Sequence, residues 1–553
     1  MRWRARKLQR APDLTDPINV IWTDPNNNRF FGNINTEQGA VLTFSGKNGR
    51  WNYMATVNYS QNGNSQQSAG GNPDEWVLAP PAGILSDLIN PFGPLSAAGQ
   101  NLVNSSYLNG TYVNGKLKRW SASANASHEL GDALHAGNPA VLALGVDAEG
   151  ESYDQATTAL AVPLQAATAF VPITVHGSRQ VQAVFAELDV PMSTHLDVDI
   201  SDREDRYSDF GSTNNGKVSL RYQPFQYLTF RASASAGFRA PSLINLFFPN
   251  NIGPTGRSIG LGSPFCTPGH YNTVFTPALC QSQGLGLYGG NRNLKPETSQ
   301  NFNFGFVVEP VSDLGITVDY YRVLLKNAIN TIPGTAIYGD PTTFANNYVL
   351  NQAGTLTPSI ALGTDCLPFT DPTCGYIVQT PQNTGGVTTH GIDLSVQYTQ
   401  HTPLGVFRQD LEGTAITRYR LQQFTGGPAL NLVGWYNRGN QPALRWQHIL
   451  RFDWTSPDSR WGAGLANRLL SSYVDQFPDG AGNPRTVGTQ SIWDAYTSFK
   501  PIESLTVLFG VRNLLNTSPP FSNTTVNCTA GYNSVFSDPI LRAFYLNLKY
   551  RFL

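Results

Sequence analysis

Six carboxylates crowd one short stretch: Asp197, Asp199, Asp202, Glu204, Asp205 and Asp209. Such a row could serve a calcium ion or a pair of acid/base carboxylates. The surrounding residues give it another reading. Leu196 to Tyr207 alternates as a strand, which puts Asp197 and Asp199 on its polar face near Arg203. A solvated wall of mixed charge accounts for that row without a bound ion. A second candidate, Gly284-Leu285-Gly286-Leu287-Tyr288-Gly289, spells the dinucleotide fingerprint, whose glycines let backbone approach a pyrophosphate. It lies in a loop with neither a strand before it nor a helix after it, so no cofactor is assigned. Cys266 and Cys280, then Cys366 and Cys374, form two close pairs inside Gly/Pro/Asn-rich loops, with Cys528 left over. Neither pair has zinc-ligand spacing and only His270 is near, so the pairs are read as disulfides of an oxidising compartment. No Ser/His/Asp or Cys/His set can be assembled. No catalytic, cofactor-binding or metal-ligating residue is therefore assigned, and no enzyme activity is expected.

The elements that carry these residues are strands. Charged residues make up 14% of 553, aromatics 11%, and there are 52 glycines, which suits long strands joined by polar loops. No run of 18 apolar residues occurs. That excludes a helical membrane span, but not a barrel, whose strands need only about 9–11 alternating residues. Net charge is −1 with a pI near 6.7, and no basic block follows the first ten residues, so no nucleic-acid partner is expected. The opening Met1-Arg2-Trp3-Arg4-Ala5-Arg6-Lys7 is basic, but Leu8-Gln9-Arg10-Ala11-Pro12 follows where a signal peptide needs an apolar core.

Alternation is explicit in Leu228, Phe230, Ala232, Ala234, Ala236, Phe238 against Thr229, Arg231, Ser233, Ser235, Gly237, Arg239. It recurs in 301–308, 314–320, 392–398, 505–511 and 544–552. The first hairpin is read as Thr36 to Ser45 with Trp51 to Ser60, and 61–115 as a long polar loop. Tight turns such as Met192-Ser193-Thr194-His195 alternate with long connections at 242–295, 330–385, 422–440, 476–487 and 518–540. In an up-and-down meander every second turn lies on the same rim, so this sorting predicts an all-β, antiparallel transmembrane barrel of about 17 strands. The expected division is an irregular segment over 1–35 and a barrel over 36–553.

Particular residues sharpen this. Asp205-Arg206-Tyr207-Ser208-Asp209-Phe210-Gly211 and Gly237-Phe238-Arg239-Ala240-Pro241-Ser242 resemble the barrel of TonB-dependent outer-membrane receptors. Asn293-Leu294-Lys295-Pro296-Glu297-Thr298, then Arg512-Asn513-Leu514 and the closing Tyr550-Arg551-Phe552, resemble that family's later markers in the same order. On the residues alone, these motifs are structural punctuation where strands enter or leave long loops. The resemblance implies a cell outer-membrane location and uptake of a scarce iron–siderophore, cobalamin or glycan ligand captured by extracellular loops. It also implies outer-membrane lipid around the wall and a TonB complex as partner. A passive pore or loop-based surface binder is the alternative. Family barrels have 22 strands, a plug, a TonB-contacting segment and a signal peptide; about five strands and the other three are not legible here. The chain is therefore expected not to drive energised transport by itself and to present an unpaired barrel edge.

Overall fold

A computed structural model describes residues 3–5, 20–22, 30–69, 94–105, 107, 109–160, 174–258, 263–267, 269–358, 372–436, 441–524 and 531–552. Among these residues, seventeen long strands, each antiparallel to its neighbour in sequence, form one wall. They are β1 (Phe30–Asn48), β2 (Trp51–Ala69), β3 (Gly110–Gly131), β4 (Ala140–Thr157), β5 (Thr174–Ser193) and β6 (Leu196–Tyr207). Next come β7 (Gly211–Phe225), β8 (Leu228–Arg239), β9 (Glu297–Val311), β10 (Leu314–Lys326), β11 (Gly386–Thr402) and β12 (Gly405–Gln422). The last are β13 (Trp446–Thr455), β14 (Trp461–Leu470), β15 (Gln490–Ile502), β16 (Leu505–Arg512) and β17 (Ala543–Tyr550). A three-residue strand, Ala429–Asn431, extends the ladder of β12 beyond β13.

Each strand pairs with its neighbour in sequence, and the register sorts side chains by chemistry. One row across β8 to β11 reads Ala232, Phe304, Tyr320, Ile392; the adjacent row reads Arg231, Gly305, Asp319, Asp393. Because successive residues face opposite sides, the first row meets lipid and the second lines the lumen. The outward row stays exposed in the isolated chain, Phe304 by 56% and Leu546 by 64%. An apolar surface on this scale marks a membrane contact.

The ring order closes with β17 beside β1. The join is thin. In both strands nearly every described residue is exposed on either face, as Val41 and Leu42 are at 66% and 75%, whereas strands flanked on both sides alternate in burial. Closure in the strand order replaces the wholly unpaired edge expected from sequence, and the exposure leaves a weak seam.

Several boundaries differ from expectation. The first stave begins at Phe30, before the expected Thr36, and turns at Gly49-Arg50, with Gly49 at φ 60°. β2 runs on to Ala69 inside the expected 61–115 loop, and that region also holds a helix, Ala97–Ser105. Asn64 donates to Asn35 at 2.6 Å and Ser65 to Asn114 at 2.6 Å, so the ladder continues where both faces are polar. Alternation marks the lipid-facing part of a strand only, and the pairing outlasts it.

Candidate functional site

The lumen wall is charged and internally paired. Arg203 bonds both carboxylate oxygens of Asp205 at 2.9 to 3.1 Å and reaches Asp147 at 2.5 Å. Asp197 meets Arg221 at 3.1 Å, and Asp199 meets Lys217 at 3.4 Å and Ser219 at 3.0 Å. The expected solvated wall therefore holds for Asp197 and Asp199. Asp202 and Glu204 lie on the other face, where Asn214 donates to Asp202 at 2.8 Å. Arg231 spans Gly305 to grip Asp319, with its Nε at 2.8 Å. A Cβ on Gly305 would stand 2.0 Å from Asp319 Oδ1, so the glycine is the gap through which the pair forms. Two adjoining grooves of about 530 and 520 Å³ share Asp319 and Asp393; the first adds Asp197, Lys217 and Arg231, the second Glu412, His448 and Arg468. Among the described residues no cluster has the makings of a metal site.

Above one rim the long connections fold into a layer of their own. Asn251–Ser258 pairs with Gln283–Tyr288, which lies parallel to Tyr376–Val378, which pairs in turn with Tyr348–Val349. The two connections between β8 and β9 and between β10 and β11 thus share one sheet. Ile252, Leu285 and Ile377 are fully buried in it, and Phe275, Leu279, Ile337 and Tyr338 form a second core beside it. Two of the dinucleotide-like glycines, Gly284 and Gly286, are strand rather than loop, and Gly289 follows the strand's end. A Cβ on Gly286 would sit 2.7 Å from Gln379 Oε1, which explains the glycine by packing. Burial pushes the Tyr288 phenol up to about 12, and those of Tyr338 and Tyr348 upward as well. Tyr288 Oη donates to Pro254 O at 2.9 Å and lies 3.0 Å from Gln379 Oε1.

Cys266 and Cys280 are disulfide-bonded with Cα atoms 5.4 Å apart, as the spacing predicts. Cys374 is also in a disulfide, while Cys366 and Cys528 lie outside the described residues.

The motif residues converge where strands enter this layer. Arg239 Nε and Nη2 donate to Glu297 at 2.6 and 2.7 Å, and Ile329 N donates to the same carboxylate at 2.6 Å. Glu297 faces Arg239 across the ladder, as Thr298 faces Phe238. Phe238 packs edge-on to Tyr207, and Gly237 leaves room for Ser299. Arg179, almost wholly buried, donates to Pro241 O at 2.7 Å next to Ala240; Ser242 caps the short helix Leu243–Phe247 by accepting from Asn245 N. Leu294 is buried with Leu246 and Ile329. Asn293 N donates to Asn291 Oδ1, and on either side of Lys295, before Pro296, Asn383 exchanges two bonds of 2.7 and 2.6 Å with backbone. At the far end, Asn513 in the left-handed region (φ 51°) takes Thr517 N and gives to Thr517 O, while its own N–H reaches Asp494. Leu514 N donates to Trp493 O, Arg512 lies over the Tyr545 ring, and Tyr550 packs edge-on to Phe552. Each motif pins a strand end to a loop.

A family model described as "TonB dependent receptor-like, beta-barrel" matches residues 2–514. The chain belongs to that family. Solved structures similar to this receptor barrel include the siderophore receptor PirA from Acinetobacter baumannii, with 15% identity, a TM-score of 0.58, and coverage of 94% of this chain and 63% of that one. The ferric enterobactin receptor PfeA from Pseudomonas aeruginosa gives 16%, 0.62, 94% and 62%. PirA from Pseudomonas aeruginosa gives 14%, 0.53, 97% and 69%. At such identities the likeness shows the fold. The chain spans less than two thirds of the length of the first two of these structures. No curated protein matches it.

Sequence reasoning missed Arg179 and Asp147 on the lumen wall of this TonB-dependent receptor barrel, together with Asn383, the tie to Lys295. Asp147 alternates with the outward Val146 and Ala148 and is findable by counting, whereas Arg179 stands between the outward Ser178 and Gln180, so no apolar alternation marks it. Asn383 has no local signal, because its partner is 88 residues away.

Proposed function

We propose that this barrel is the wall of an outer-membrane receptor and transporter that takes up a scarce ligand, with the sheet-bearing rim facing outward to capture it. The carrying observation is the sorting of connections. Short turns such as 194–195, 226–227, 312–313 and 503–504 lie at one rim, and the connections 240–296 and 327–385 that build the folded layer lie at the other. A charged, ion-paired lumen beneath a structured loop layer suits passage of a polar solute after capture. The family points to iron–siderophore, cobalamin or glycan ligands, and two similar structures are siderophore receptors, so ferric siderophores come first in the test. The barrel unit begins at Phe30 rather than at the expected residue 36, outer-membrane lipid surrounds it, and the TonB complex energises uptake in the whole receptor. The disulfide-bonded loops are part of the capture surface.

The test is uptake of a labelled ferric siderophore by cells lacking their own receptors, with and without a proton gradient, using both this chain behind an export signal and the chain joined to a family plug. Gradient-dependent uptake by the plugged protein supports the reading. Gradient-independent leakage by both would make the chain a passive pore.

A further inference from the structure

We infer that the outer wall across β10, β11 and β12 carries a binding site for the phosphorylated headgroup of a surrounding lipid. The inference rests on the membrane placement proposed above and goes beyond it. On β10 the outward row climbs Leu314, Ile316, Val318, Tyr320 and then Arg322; on β11 it climbs Tyr398, Val396, Leu394, Ile392 and then His390. Arg322 stands opposite His390, and His390 opposite Arg418, so three cationic or titratable side chains line up across three strands. Neighbours across a ladder are roughly 5 Å apart, which puts Arg322 about 10 Å from Arg418, within joint reach of one phosphate.

The third strand joins this row through an irregularity. The β11–β12 register shifts between His390 and Gly391, where Thr417 is the extra residue. Below the shift Ala415 faces outward opposite Ile392; above it Arg418 and then Arg420 do so. Thr417 Oγ1 donates to His390 O at 3.1 Å and lies 2.9 Å from His390 Nδ1, which fixes the ring, and the Tyr320 ring is 6.1 Å from it on the lipid side.

Charge decides what fits there. Lumen-facing Arg231, Arg239 and Arg408 on this part of the wall each hold a carboxylate. Among the described residues Arg322, Arg418 and Arg420 hold none, and no Asp or Glu stands in the outward rows of β10, β11 or β12. Height agrees. From Leu314 to Arg322 a strand tilted by about 40° and rising about 3.3 Å per residue climbs roughly 20 Å, close to the margin of an apolar band about 25 Å tall. Unpaired guanidinium groups at that margin find phosphate from the lipid itself, and Arg binds phosphate in bidentate fashion.

The full chain, folded in non-ionic detergent and checked for strand by circular dichroism, is mixed with lipid A bearing both phosphates or with the same lipid stripped of them. Bound lipid is counted by native mass spectrometry. The phosphorylated form is retained about tenfold better, a difference of about 1.4 kcal/mol. R322Q/R418Q/R420Q abolishes that preference, the corresponding Lys triple keeps most of it, and millimolar inorganic phosphate does not displace the lipid. Equal retention of both lipids by the unmodified chain, or an unchanged preference in the Gln triple, overturns the inference. Displacement by inorganic phosphate reassigns the patch to free anions and overturns it too. If the Gln triple does not fold, the two-lipid comparison on the unmodified chain decides. A chain that forms no strand in detergent sinks the membrane reading along with the inference.

Discussion

Glu297 answers three donors at once, two from Arg239 and one from the Ile329 backbone, while almost wholly buried. Glu297→Ala strands the Ile329 N–H. The Arg239 side chain is mostly exposed, so its share of the loss is discounted for solvent. A cost of about 1–3 kcal/mol is expected, read as faster hydrogen exchange around Ile329 with the staves unchanged. Gly305→Ala drives a methyl into Asp319 and the Val318 carbonyl, so it is expected to open the Arg231–Asp319 pair and cost about 1–3 kcal/mol, measured as a lowered melting temperature. Tyr288 supplies a pH dependence. Its folded pKa is raised above the ordinary 10 to about 12, so the folded layer binds the phenolic proton more tightly than the unfolded chain does. That contribution is complete below pH 10 and is lost as pH rises through about 12. Hydrogen exchange across Asn251–Ser258 and Gln283–Tyr288 is expected to accelerate in that window, and in Tyr288→Phe that acceleration should be smaller, Tyr338 and Tyr348 keeping their share.

The staves were legible as elements because lipid imposes a period-two pattern on one face, and the turns because Gly, Pro and Asn punctuate them. Strand ends were not, since beyond the lipid band the wall is polar on both faces and pairing continues without a pattern, as in Gln61 to Gln67. The loop sheet was also hidden: Gly286 and Leu287 pair in parallel with Ile377 and Val378, some ninety residues on, and nothing local announces a partner at that distance. The register shift at Thr417 defeats counting altogether. Carried up from Ala415, strict alternation would put Arg418 in the lumen. The motif residues could be named from sequence as strand-end punctuation, but their shared node needed Asn383 and Ile329, which carry no signal. For the loop layer, Cys266→Ser with Cys280→Ser removes a closure of 14 residues in sequence, an unfolded-state constraint of roughly 3 kcal/mol. The loss is expected in the layer alone. Calorimetry should show the barrel transition unmoved while protease nicks 263–285 sooner.

For the whole molecule, parity matters more than size. Seventeen staves mean that β1 and β17 run in the same direction, each starting at the rim of the long connections and ending at the rim of the short turns. Among the described staves the chain therefore stands at the rim of the long connections before Phe30 and at the rim of the short turns after Tyr550, whereas an even count would leave both at one rim. A peptide epitope inserted just before Phe30 should be reached by antibody on intact cells, and one appended after Leu553 only once the outer membrane is breached. The described wall thus hands the chain from one rim to the other, and residues flanking its first and last described staves are expected to be reached from opposite sides.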